Sequence, residues 1–249
     1  MSADDLLRRM VPPVVGIAPG WATGVVHLVD DPVRWASGRA EADDVLALPA
    51  LWWPVPHGLP GGVRAVLLQG LPTERSPAGN VPVVGGVDLD VLREGETVEV
   101  NGSKGTLRIL GSEEVEVVTA LLERDDGRIL LLERSSKVGS FQGRWAGVSG
   151  YLEDPTPLEQ AYREIREETG IQGDDLTLAS SGSPVLARDG RQVFVVHPFR
   201  FRVRTTEFSL DWEHVRAEWV EPAEIRRRPT VPKLDRVWEA VAPTGVPKA

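Results

Sequence analysis

A chain of 249 residues, 41% hydrophobic and 26% charged, has the make-up of a globular protein of one large or two small domains. It contains no cysteine, which excludes disulfides and thiolate metal sites, and its four histidines are scattered singly, so carboxylate oxygen is the expected metal donor. A formal net charge of −9 argues against nucleic-acid binding, and no run of about eighteen apolar residues is present to span a membrane. The opening MSADDLLRRMVPPVV lacks a basic start followed by an apolar stretch, so no signal peptide and a cytoplasmic location are expected.

Residues 10–110 are rich in Gly, Pro and Val and carry short β-like runs: GVVHLV, RAVLLQG, VPVVGG, TVEVNG and TLRIL. The segment TVEVNGSKGTLRIL reads as two strands joined by a Gly-containing turn, and DDPVRWASGRAEADDV as holding a short helix. In ALWWPVPHG, Trp52 and Trp53 are expected in a core; exposed, they would mark an interface, and dimerisation is one use for this half. A boundary falls near GSEEVE, giving domains over 1–112 and 113–249. The second half opens with a hairpin, VEVVTALLE and ILLLERS around the turn RDDGR. The Gly-rich loop KVGSFQGRWAGVSGYLEDP follows, then a helix, then VFVVHPFRFRV as a buried strand. AEWV reads as a short strand, EPAEI as a helical turn, and VPKLDRVWEAV as a terminal helix. Basic residues gather only in EIRRRPTVPK, which reads as a solvated surface. Strands alternating with helices place this domain in the α/β or α+β class.

The helix TPLEQAYREIREETG concentrates the chemistry. Thr156 is an N-cap, Pro157 suits the first helical position, Glu159 completes a capping box, and Gly170 suits the left-handed end, so the helix is expected over about 157–169. Glu164, Glu167 and Glu168 stand at i, i+3 and i+4 and share one face, where like charges repel by a few tenths of a kcal/mol per pair. Leu158, Ala161, Ile165 and Tyr162 form the apolar stripe beside them. A solvated acidic face is the plain alternative. A divalent cation would reverse the cost, and Mg²⁺ prefers carboxylate oxygen and shares its remaining positions with phosphates.

The stretch resembles the Nudix box, in which glycine, five residues, glutamate and seven residues precede Arg-Glu-aliphatic-any-Glu-Glu-any-Gly-aliphatic. Arg163, Glu164, Ile165, Glu167, Glu168, Gly170 and Ile171 match its second half. The first half departs: Pro155 stands at the first glutamate and Ser149 at the glycine, while reading from Gly150 needs a loop one residue shorter. Glu153 or Asp154 could then supply the missing carboxylate. The resemblance, over about 113–240, implies a Nudix α/β/α sandwich with a mixed sheet. It implies a hydrolase that cleaves a diphosphate linkage in a nucleoside diphosphate derivative, using Mg²⁺, or Mn²⁺ in its place, held by Glu164, Glu167 and Glu168. Arg163 would brace the loop through a carboxylate. The general base is left between Glu167 and Glu213 of LDWEH. Arg144 is a candidate phosphate ligand and Phe141 a base-stacking one. Trp145 is expected in the core, and His197 and His214 in structural roles.

Residues 14–110 are similar to the swivelling phosphohistidine domain of phosphoenolpyruvate-utilising enzymes, a β/β/α unit. Gly16, Pro19, Gly20, Ala22 and Gly24 match its opening, and Pro82, Val84, Gly86 and Gly95 its close. Its phosphate-carrying histidine is missing from LLQGLPTERSPAGNVP, and His27 and His57 lie elsewhere, so phosphoryl carriage is not expected. The expected whole is a two-domain enzyme taking a small-molecule diphosphate, with homodimerisation open. The rival from another class is a non-catalytic sensor that binds a nucleotide or nucleotide-sugar through the same fold.

Overall fold

The computed structural model describes residues 15–30, 44–55, 58–59, 61–73, 80–205 and 207–243. The short helix expected in DDPVRWASGRAEADDV falls almost wholly outside these residues, as does His57. Contacts divide the chain into two compact units, Pro12–Glu113 and Glu114–Ala249.

In the first unit, β1 (Val15–Ala18), β2 (Trp21–Leu28), β3 (Asp44–Pro49), β4 (Val63–Gln69), β5 (Val83–Gly85), β6 (Thr97–Asn101) and β7 (Thr106–Ile109) form one sheet in the order β1-β5-β4-β3-β2-β6-β7. The neighbours β2–β3, β3–β4 and β4–β5 are parallel, and the other pairs antiparallel. Val45–Leu48 and Ala65–Leu68 are buried without alternation, as expected of central parallel strands covered on both faces. Trp53 joins this core, whereas Leu51 stands exposed. The described helical residues of this unit form two single-turn 3-10 segments, Ala50–Trp52 and Leu89–Val91. Gly16 is required by close approach: a Cβ there would meet the Gly102 carbonyl oxygen.

In the second unit the hairpin β8 (Glu113–Glu123) and β9 (Ile129–Arg134) turns at Gly127, whose φ of 82° glycine adopts without strain. It belongs to an eight-stranded sheet whose main path is β10 (Trp145–Ala146), β9, β8, β14 (Gln192–Val203) and β12 (Leu176–Ser181). β11 (Val148–Tyr151) pairs with β8, β13 (Val185–Asp189) with β14, and β15 (His214–Val220) with β9. Alternation sorts the side chains between two layers. Val118, Ala120, Leu122, Leu130 and Leu132 face α1 (Pro157–Thr169), meeting Ala161 and Ile165 with Phe199 and Phe201. Leu121, Ile129 and Leu131 face the opposite way, toward Leu234, Val237 and Val241 of α2 (Leu234–Val241). The result is a helix–sheet–helix sandwich. Arg200 of β14 pairs with Glu123 across this layer, and its Nε donates to the Val241 carbonyl at 2.9 Å, tying α2 to the sheet. No described helix is long and apolar enough to cross a membrane.

Candidate active site

The caps of α1 are local and sequence-encoded. Thr156 Oγ1 accepts the Glu159 N–H at 3.3 Å and donates to Glu159 Oε2 at 2.7 Å. At the other end Gly170 adopts φ 73°, and its N–H reaches the Arg166 carbonyl.

The three matched glutamates do not share one environment. Each residue advances about 100° around the helix, so Glu168 lies about 40° from Glu164 toward Ala161 and Ile165, and Glu167 about 60° the other way. Glu164 and Glu167 line a cavity. Glu168 is 2% exposed and absent from that lining, so the three carboxylates of the shared helix face differ in access. Its Oε1 accepts the Ser149 N–H at 3.2 Å, while Oε2 is buried with no hydrogen-bond partner. Burial pushes the Glu168 carboxyl well above the usual range, with Glu164, Asp211 and Glu213 adding to it. Burial likewise raises Glu164, against the bond it accepts from Gln160, and Glu167 raises it further.

The shortened loop is anchored by Gln160, a buried side chain that the sequence reading passed over. Its Oε1 accepts the N–H groups of Glu153 and Asp154, both at 2.9 Å, and Arg163 Nη2 at 2.8 Å; its Nε2 donates to Glu164 Oε1 at 2.5 Å. Arg163 Nη2 also bonds Glu153 Oε2 at 2.9 Å, and its Nε lies 3.1 Å from Asp154 Oδ2 without aiming its N–H there. Glu153, Asp154 and Gln160 thus gather around Arg163 beside Pro155. Gly150 holds Glu164 close: a Cβ there would stand 2.0 Å from Glu164 Oε1.

The cavity, about 320 Å³, has two unlike ends. Glu153, Arg163, Glu164, Glu167, Glu213 and Arg134 make the polar end, and Phe141, Ala187, Phe194, Val196, Val231 and Pro232 the apolar one. Phe141 and Phe194 stand 6.1 Å apart and tilted by 59°. Arg144 is exposed and does not line this cavity. Its carbonyl instead accepts the Arg134 N–H, and Arg134, whose Nε donates to the Ser140 carbonyl at 3.0 Å, is the cation in that region. Arg134 ends the run ILLLER, where an arginine closing an apolar strand was the available signal.

Glu213 reaches the polar end from the loop before β15, placed by its N–H on Asp211 Oδ1 and its carbonyl on the Ser135 N–H. Burial raises its carboxyl above the ordinary value; Asp211 adds to this and Arg134 opposes it. His214 is buried, its Nδ1 3.1 Å from Asp211 Oδ1, and burial lowers its pKa against that partner. His197 lies in β14 with Nε2 3.3 Å from Glu116, and burial lowers it too. Trp145 is core, with Arg216 and Arg228 4.8 and 4.9 Å from its ring centroid. Its backbone bonds Pro229 and Val231, which brings Val231 and Pro232 to the cavity.

Among the described residues no three His, Asp or Glu side chains are already gathered around one point as metal ligands. The donor set nonetheless fits a divalent cation: an orphaned buried carboxylate oxygen on Glu168, beside Glu164, in a neighbourhood of like charge.

Among solved structures, the chain is similar to a MutT protein from Methanosarcina mazei Go1, at 24% identity over 52% of this chain and 94% of that one, with a TM-score of 0.45. It is also similar to a C. elegans Ap4A hydrolase binary complex, at 19% identity over 51% and 93% of the two chains, TM-score 0.44. An E. coli dihydroneopterin triphosphate pyrophosphohydrolase shares 18% identity over 51% and 94%, TM-score 0.43. No curated protein matches. The family model of the NUDIX domain matches residues 114–240, just over half of the chain. The chain belongs to the Nudix family and is an enzyme acting on pyrophosphate bonds.

Proposed function

We propose that the second unit is a Mg²⁺-dependent hydrolase that cleaves a diphosphate linkage in a nucleoside diphosphate derivative, with Mn²⁺ able to replace Mg²⁺. The observation that carries this is the two-ended cavity, in which Glu164 and Glu167 of α1 face the same space as Arg134, Glu213 and an aromatic pair. Glu164, Glu167 and Glu168 hold the cation, which when bound offsets the charge of the diphosphate oxygens and acidifies water. Arg163 keeps the loop in place through Glu153 and Asp154. Arg134 contacts a phosphate oxygen. Glu213, with its carboxyl raised, takes the proton of the attacking water. An oxygen–phosphorus bond forms, the bond to the bridging oxygen breaks, and its electron pair leaves with the departing phosphate. Phe141 and Phe194 receive the apolar face of the base.

For residues 12–113 we infer a swivelling-type unit without a phosphate carrier, supported by its Gly and Pro pattern and its mixed sheet. The test of the hydrolase is Mg²⁺-dependent phosphate release from a panel of nucleoside diphosphate derivatives. The result expected is turnover of at least one member, abolished in Glu167→Gln and Glu168→Gln. Tight saturable binding with no turnover of any member overturns it in favour of a sensor.

A further inference from the structure

Of the four buried side-chain polar atoms without a hydrogen-bond partner among the described residues, two stand together. His214 Nε2 and Glu168 Oε2 each lack a hydrogen-bond partner, on side chains only 1% and 3% exposed. They face each other at 3.7 Å. Each residue's other polar atom is engaged: His214 Nδ1 with Asp211 Oδ1 at 3.1 Å, and Glu168 Oε1 with the Ser149 N–H at 3.2 Å. Neither side chain can therefore turn to satisfy its orphan without losing the partner it has.

The contact with Asp211 sets the tautomer. A carboxylate oxygen can only accept, so the proton sits on Nδ1 and the lone pair of a neutral imidazole is on Nε2. That lone pair then points at a carboxylate oxygen, which is repulsive in a buried place unless something positive lies between them. The separation says what kind of occupant fits. A direct hydrogen bond would bring N and O to about 2.7–3.2 Å. Two donors on one cation, at bonds of about 2.1 Å and angles of about 90–110°, stand about 3.0–3.4 Å apart, so a few tenths of an ångström of closure brings this pair into range.

We propose that His214 Nε2 and Glu168 Oε2 jointly ligate a divalent first-row cation, with Asp211 as the outer carboxylate that orients the imidazole. This rests on the reading that Glu168 is a cation ligand, and it adds a nitrogen ligand from outside the box. Glu164, Asp211 and Glu213 act electrostatically on Glu168, and Asp211 and Arg134 on His214. A carboxylate holding the far side of a metal-bound imidazole is the usual arrangement for histidine ligands. The remaining positions fall to water, a further carboxylate or a phosphate oxygen. A nitrogen donor shifts preference from Mg²⁺ toward Mn²⁺ or Zn²⁺ at this position.

The test is pulsed electron paramagnetic resonance on the full chain loaded with one equivalent of Mn²⁺, together with Mn²⁺ titration. A ¹⁴N coupling of a directly bound imidazole is expected in the wild type and in His197→Gln, and its loss in His214→Gln. Asp211→Asn is expected to keep the coupling while weakening Mn²⁺ binding by about 10–100-fold. If Mn²⁺ binds with no ¹⁴N coupling and His214→Gln binds it as the wild type does, a shared proton fills the gap. The inference then fails while the carboxylate site stands. If Mn²⁺ does not bind at all, both fail. Should His214→Gln not fold, judged by its metal-free melt, the wild-type spectrum decides alone.

Discussion

Replacing Gln160 by alanine removes four hydrogen bonds at once. Three converge on Oε1, from the N–H groups of Glu153 and Asp154 and from Arg163, and the fourth runs from Nε2 to Glu164. The loop ends are partly reached by water: Glu153 is exposed and Asp154 half-buried, so each loop bond counts near the net value of about 0.5–1.5 kcal/mol rather than its full desolvation cost. The contacts to Arg163 and Glu164 exchange largely for water on the cavity side. Loss of a fully buried side chain adds a void, and the sum is a destabilisation of about 2–4 kcal/mol. At roughly 3 °C per kcal/mol for a unit of this size, the metal-free transition should fall by about 6–12 °C in differential scanning calorimetry. Gln160→Glu keeps the acceptor that faces the loop but points an oxygen at Glu164, so a smaller fall is expected with weaker Mn²⁺ binding. A Gln160→Ala transition within about 2 °C of the wild type would show that the shortened loop does not hang on this amide.

Three further outcomes are expected. Glu168 has a raised pKa in the folded chain, so the native state keeps a proton that the unfolded chain releases; metal-free stability must fall as pH rises from about 4.5 through that raised value. Glu168→Gln should flatten this slope in melts taken across pH 4.5–8, and an unchanged slope would reject the assignment. Gly150→Ala forces the Glu164 carboxylate aside, so Mn²⁺ affinity by titration should drop about tenfold or more with only a small change in melting temperature; unaltered affinity would contradict the close approach. Arg200→Met takes from Glu123 its nearer cation, leaving the exposed Arg202 at 4.0 Å, and from the Val241 carbonyl one of two donors, Ser180 Oγ remaining; it should cost about 2–4 kcal/mol in urea unfolding, and a loss below about 1 kcal/mol would contradict it.

What could be read before the fold was known is what depends on near neighbours in the chain. The caps of α1, the hairpin around Gly127 and the strands read at residues 193–203 and 217–220 follow from a few adjacent residues each, though the latter begins earlier, at His214. The acidic stripe was also visible, but not the burial of Glu168 under Ser149, which depends on the strand packed over the helix. Gln160 was hidden because its worth comes from the curvature of a loop one residue short, which no propensity encodes. Arg134 and Arg144 differ in the same way. Strand register, with Trp145 opposite Glu133 and Ala146 opposite Leu132, decides which neighbouring cation meets the cavity. Val231 and Pro232 are held at the wall by Trp145, far away in sequence.

That last attachment has a consequence for synthesis. The ribosome delivers α1 with its carboxylates well before the residues that finish the hydrophobic rim, and Trp145 waits with neither arginine across its ring until residues 216–231 emerge. A nascent chain stalled short of Pro229 should therefore present its acidic turn with the cavity still open on one side, and would close the apolar wall only once residues 229–232 had followed.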